Sequence, residues 1–132
     1  MKKKVSLYIH IPFCASKCFY CDFNSYSGLE EKISSYFDAL AKEISIHKNK
    51  HGELEINTIY IGGGTPSYVE SKYIYNIIND LNRKFFVPEN AEITIESNPG
   101  TITYQKLMAY KAIGINRLSI GVQSMDDTIL QK

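Results

Sequence analysis

Short runs of β-branched and aromatic residues alternate along the chain with longer stretches whose apolar side chains recur every three or four positions. Residues 5–11 form the first such run, and the arrest at Pro12 marks it as a strand. Over residues 30–48, Ile33, Phe37, Leu40 and Ile44, flanked by Tyr36 and Ala41, make the apolar stripe of a helix. Ser27 and Glu30 ahead of it have the spacing of a capping box. Residues 58–61 read as a buried strand closed by Gly62-Gly63-Gly64. A second helix pattern follows through Tyr73, Ile74, Ile77, Ile78 and Leu81, with Ser71 in position to cap it. Residues 91–96 make a third strand, ended by the turn residues Asn98-Pro99-Gly100. Thr103 is placed to cap a third helix carrying Leu107, Met108 and Ile113, with Gly114 as its C-terminal stop. Residues 117–121 are a fourth strand, and Asp126 opens a helix of about one turn.

Strand–helix alternation of this kind predicts an α/β fold of parallel strands with helices packed outside them. Right-handed crossovers make it a layer or part of a barrel, with functional groups at the C-terminal edge of the strands. Because the pattern stops inside a helix start, residues 1–132 are expected to be a single incomplete core domain, truncated after the fourth strand.

Composition narrows the partners. Of 132 residues, 15 are Lys or Arg and 14 are Asp or Glu, so the formal charge of +1 gives no electrostatic reason to expect nucleic acid or an anionic membrane. A hydrophobic share of 44% suffices for a core. No stretch approaches the length of a membrane span. The apolar run after Lys2-Lys3-Lys4 is interrupted by Ser6, His10 and Pro12 and lacks a cleavage signature, so no signal peptide is expected. The expected location is cytoplasmic.

The 3 cysteines, Cys14, Cys18 and Cys21, fall in one loop just beyond the first strand. An odd, clustered set makes a poor disulfide framework and points to a metal site. The spacing, three residues and then two between thiols, lets one loop wrap three thiolates around a 4Fe–4S cube, leaving one iron open. The amine and carboxylate of S-adenosylmethionine can chelate such an iron. Two other readings stay open: tetrahedral zinc held by the thiolates and His10 in an interaction module, and three inert buried thiols.

At these residues the chain resembles the radical-SAM family, and within it the oxygen-independent coproporphyrinogen III oxidase-like branch with its HemW-type haem chaperones. The blocks that carry the resemblance are Leu7-Tyr8-Ile9-His10-Ile11-Pro12-Phe13-Cys14, Cys21-Asp22-Phe23-Asn24-Ser25, Ile61-Gly62-Gly63-Gly64-Thr65-Pro66-Ser67, Glu92-Ile93-Thr94-Ile95-Glu96-Ser97-Asn98-Pro99-Gly100-Thr101 and Asn116-Arg117-Leu118-Ser119-Ile120-Gly121-Val122-Gln123-Ser124. The resemblance implies the N-terminal half of a partial (β/α) radical-SAM barrel. It implies cluster ligation by Cys14, Cys18 and Cys21, and S-adenosylmethionine contacts at Tyr8, Gly63, Gly64, Thr65, Glu96 and Gln123.

Several of these positions also have readings of their own. The glycines let backbone approach a ligand, or simply make a turn. Glu96, at the end of a strand, can accept hydrogen bonds from ribose hydroxyls or from the amino group, or be a solvated charge. Phe19 and Tyr20, beside the cluster cysteines, can shield the cluster or stack on adenine, or merely pack. His10 reads as a hydrogen-bonded structural residue and Arg117 as half of an ion pair.

Oxidases of this branch carry Gly-Cys after the third cluster cysteine. Asp22-Phe23 stands there instead, the form of the haem chaperones. The resemblance therefore implies haem binding and transfer, with haem or porphyrin, a haem-acceptor protein and an electron donor as partners. Oxidative decarboxylation of coproporphyrinogen is the alternative.

Overall fold

In the computed structural model, which describes residues 1–16 and 25–131, the alternation resolves into a four-stranded parallel sheet in the order β1-β2-β3-β4. The strands are β1 (Lys3–Ile11), β2 (Leu54–Gly63), β3 (Glu92–Ser97) and β4 (Arg117–Ile120). Between them run α1 (Ile33–His51), α2 (Ser71–Lys84) and α3 (Tyr104–Ala112), and α4 (Asp127–Leu130) follows β4. Each strand pairs in parallel with its successor, so every crossover carries a helix.

The period-2 alternation of each strand decides which residues meet the helices. Ile9 and Ile11 of β1, Ile59 and Ile61 of β2, and Ile93 and Ile95 of β3 are buried in one core with Phe37 and Ile44 of α1 and Ile74, Ile77, Ile78 and Leu81 of α2. The residues between them point to the other face. Register places Tyr8 beside Tyr60, His10 beside Gly62, Tyr60 beside Thr94 and Glu96 beside Ser119. One face is thus aliphatic and covered, and the other is polar.

Element boundaries depart from the sequence pattern where polar residues interrupt it. Strand β2 begins at Leu54, four residues early, because Leu54, Glu55 and Ile56 pair with Lys3, Lys4 and Val5 before the register shifts. The expected Ser27–Glu30 capping box does not form. Glu30 lies inside a 3-10 turn (Glu30–Lys32) that precedes α1, and its carboxylate accepts from the Tyr68 hydroxyl at 2.8 Å instead. Ser71 is the first residue of α2 rather than its cap. Glu70 precedes it in extended conformation, and neither supplies a side-chain capping bond. Thr103 does cap α3, accepting from Lys106 N–H at 3.1 Å, and Gly114 follows that helix with φ +99°. Asp126 caps α4 through Thr128 N–H at 2.8 Å.

Candidate functional site

The C-terminal ends of the strands carry the residues that matter. Past the end of β1, the chain runs through Pro12 and Phe13 to Cys14 and is met by residues returning at Tyr26. Tyr26 N–H donates to Pro12 O at 2.7 Å, and Cys14 N–H donates to Tyr26 O at 3.1 Å. The Cys14 thiol is 7% exposed and donates to the same carbonyl at 3.6 Å. These bonds pin the two ends of the cysteine loop together and hold the first thiol in a fixed place. Cys18, Cys21, Phe19, Tyr20 and the Asp22-Phe23 pair lie outside the described residues.

The glycine turn is locked onto the same segment. Gly64 N–H donates to Ile11 O at 2.8 Å and Thr65 N–H to Phe13 O at 2.7 Å. A Cβ on Gly64 would lie 2.6 Å from the Phe13 carbonyl oxygen, and one on Gly63, whose φ is +120°, would lie 2.8 Å from His10 Nδ1. These glycines are thus required by neighbouring protein, and their closeness brings the turn within one residue of Cys14. With Gly63 N–H donated to Glu96 Oε2 at 3.1 Å, the amides of Gly63, Gly64 and Thr65 all have protein acceptors.

Glu96, the penultimate residue of β3, lies on the polar face. Its Oε1 accepts from the Tyr60 hydroxyl at 2.8 Å, and that hydrogen bond is the main cause of a Tyr60 pKa above the usual phenol value. Tyr8 stacks on Tyr60 with ring centroids 6.2 Å apart and shares a 3.0 Å hydrogen bond with His10 Nδ1. Burial, and to a lesser degree the Glu96 charge, raises the Tyr8 pKa. His10 is further tied through its carbonyl to the Tyr36 hydroxyl. Among the described residues, no group of three or more His, Cys, Asp or Glu side chains is placed around a common point.

A cavity of about 230 Å³ opens at this edge, lined by Gly63, Gly64, Thr65, Glu96, Ser97, Asn98, Ser119, Gly121 and Gln123. It brings together five of the predicted cofactor contacts: both glycines, Thr65, Glu96 and Gln123. Tyr8 stays outside the lining and joins it through Tyr60. Gln123 has φ +68°, and its amide donates to Gly121 O at 3.3 Å. Sequence reasoning missed Ser97 and Tyr60. Ser97 borders the cavity, but its hydroxyl oxygen is buried away from it without a hydrogen-bond partner. Strand parity sets Ser97 on the face opposite Glu96, so its side chain turns to the covered side of the sheet. A polar lining with the Glu96 carboxylate, the Gln123 amide and adjacent thiol chemistry fits a ligand rich in hydroxyl and amine groups, as S-adenosylmethionine is.

Other motif residues hold structure together. The Ser67 hydroxyl, fully buried, bonds the Thr101 hydroxyl and accepts from Asn98 N–H at 3.2 Å, so the Thr-Pro-Ser and Asn-Pro-Gly-Thr blocks are stitched to each other. Arg117 pairs with Glu92 at 3.2 Å, the expected ion pair, on an exposed surface. No helix among the described residues is long and apolar enough to cross a membrane.

Comparison with known proteins agrees with this geometry. The chain is 46% identical over 131 residues to the haem chaperone HemW of Buchnera aphidicola (subspecies Schizaphis graminum), covering 97% of this chain and 34% of that protein. It is 38% identical over 133 residues to HemW of Escherichia coli, again covering 97% of this chain and 34% of the relative. The chain thus spans about a third of the length of these curated relatives. Among solved structures, coproporphyrinogen III oxidase (HemN) from Escherichia coli, a radical SAM enzyme, superposes with a TM-score of 0.88 at 33% identity, over 98% of this chain and 30% of that one. Residues 8–132 match the family described as the Radical SAM superfamily, and the chain belongs to that superfamily, whose members carry a 4Fe–4S cluster and S-adenosylmethionine.

Proposed function

We propose that Cys14, Cys18 and Cys21 ligate a 4Fe–4S cluster and that the cavity beside Cys14 takes the adenosylmethionine bound to its open iron. The observation that carries this reading is the hydrogen-bonded lock between Gly64 and Thr65 and the backbone of Ile11 and Phe13, which sets the polar cavity against the first cluster cysteine. When bound, the pair supplies a 5′-deoxyadenosyl radical by one-electron cleavage of a carbon–sulfur bond. The protein's own work is orientation. Glu96 accepts hydrogen bonds from the ribose hydroxyls. Gly63, Gly64 and Thr65 face the methionyl amine with carbonyl oxygens, and Gln123 completes the polar wall. Tyr8 supports this wall through its stack on Tyr60, and Phe19 and Tyr20 shield the cluster from water.

The larger function we infer is that of a cytoplasmic haem chaperone, binding haem and passing it to an acceptor protein, with a separate electron donor for the cluster. Similarity to the HemW relatives and the Asp22-Phe23 pair support this over coproporphyrinogen oxidation, which the HemN likeness keeps as the second reading. Residues 1–132 then serve as part of a radical-SAM core, with porphyrin handling drawn from the additional length the relatives possess. Haem transfer to an apo-haemoprotein and decarboxylation of coproporphyrinogen III, assayed side by side at the relatives' full length, separate the two. Transfer without decarboxylation is expected, and turnover without haem binding would reverse the choice. Zinc in place of iron is tested by anaerobic reconstitution: stoichiometric zinc with no visible chromophore would overturn the cluster assignment.

A further inference from the structure

Glu96 is held at both oxygens, and one of its two donors has no assigned role. We propose that Tyr60 is a positioning residue that fixes the Glu96 carboxylate to receive a vicinal diol; this rests on the reading of Glu96 as the ribose contact. Oε1 accepts from Tyr60 Oη at 2.8 Å and Oε2 from Gly63 N–H at 3.1 Å. An ionised carboxylate offers about four acceptor sites, so one protein donor on each oxygen leaves capacity on both, matched to the two adjacent hydroxyls of a ribose. A carboxylate held only by Gly63 would be free to rotate about its terminal torsion, which is broad for glutamate.

The surrounding residues are arranged to keep Tyr60 in this role. Tyr8 stacks on its ring at an interplanar angle of 19°, and Ser119 lies opposite Glu96 in the register. Gly62 lies between ring and carboxylate. A Cβ there would come within 3.0 Å of Tyr60 Cε1 and 3.1 Å of Glu96 Oε2. The bare backbone at Gly62 is what lets the two side chains meet across the polar face. The hydrogen bond to Glu96 favours the protonated phenol and raises the Tyr60 pKa.

The test is a binding measurement on the anaerobically reconstituted chain, using S-adenosylhomocysteine and its 2′,3′-dideoxy analogue as probes. Tyr60→Phe keeps the ring and its stack and removes only the donor. It is expected to weaken S-adenosylhomocysteine by about tenfold, the order of a lost hydrogen bond to a charged group, and to leave the dideoxy analogue unchanged. Glu96→Gln should weaken the same probe at least as much, and adding Tyr60→Phe to it should cost nothing more. Gly62→Ala, which retains both groups but forces them apart, should reproduce the diol-selective loss. Unchanged affinity in Tyr60→Phe, or equal weakening of both probes, would overturn the positioning role. If Glu96→Gln leaves S-adenosylhomocysteine binding intact, the ribose assignment itself falls and this inference with it. If Glu96→Gln weakens binding and Tyr60→Phe does not, only the positioning role falls.

Discussion

Gly64 shows how a single missing Cβ can hold a site together. The atoms it would strike, the Phe13 carbonyl at 2.6 Å and the Phe13 nitrogen at 3.0 Å, are backbone and cannot swing aside. Gly64→Ala should therefore destabilise the fold by about 2 kcal/mol or more, in the range of overpacked cores, read as a lower denaturation midpoint. Because the same contact seats Cys14, bound iron should fall with it. Tyr110 presents the opposite case, a buried phenol with no partner for its hydroxyl and a pKa pushed up to about 12 by burial. A raised phenol pKa means the folded state favours the neutral form, so this stabilisation is complete below pH 10 and is lost as pH rises through about 12. Tyr110→Phe removes both the unpaired hydroxyl and the titration. It should raise stability at neutral pH by about 1 kcal/mol and flatten the loss of stability above pH 10, measured by denaturant unfolding across that range. At this scale the sequence showed which residues are unusual but not what they touch. The glycine run was visible; that Phe13 and His10 fill the space over it was not, because those contacts join segments some fifty residues apart.

At the scale of elements, local chemistry was legible wherever one residue decides. Thr103, Gly114 and Asp126 perform the terminal roles their types and positions imply. Thr103→Ala should cost about 1 kcal/mol, typical of a lost N-cap, with the loss concentrated in α3 and visible as faster amide exchange at Lys106. Ser27 and Glu30 had an equally good local signature, yet a tertiary partner, the Tyr68 hydroxyl, takes the Glu30 carboxylate. That bond lowers the Glu30 pKa. Strand β2 was read short for a related reason. Glu55 and Asn57 break the apolar run, although ladder pairing with β1 carries β2 through them. The apolar parity of β2 also changes at Asn57, from Leu54 and Ile56 to Ile59 and Ile61, where the register with β1 shifts by one residue, so no single alternation runs through the whole strand.

In the whole molecule, the parallel order and the side on which chemistry collects followed from the alternation of strands and helices. Parallel strands place all their C-terminal ends at one edge, and that edge holds Cys14, the glycine turn, Glu96 and Gln123. The polar face of the sheet was less legible. Tyr8, Tyr60, Thr94, Glu96 and Ser119 are dispersed over more than a hundred positions and meet only through register. Several other clefts are larger than the cavity at that edge. One, between α1 and α2, reaches about 540 Å³ but is lined by Lys84, Asp80 and Ser45 bonded to one another. Chemistry, rather than size, marks the functional edge.

The claim on which the rest depends is that this chain builds a cluster with one iron open to S-adenosylmethionine. Electron paramagnetic resonance of the anaerobically reconstituted, dithionite-reduced chain, recorded with and without S-adenosylmethionine, tests it directly. The expected result is an S = 1/2 signal from a 4Fe–4S cluster at about 4 Fe per chain, with g-values that shift on adding the ligand and a signal that is lost in Cys14→Ala. A reduced chain with no such signal, or one whose spectrum is indifferent to S-adenosylmethionine, would contradict it.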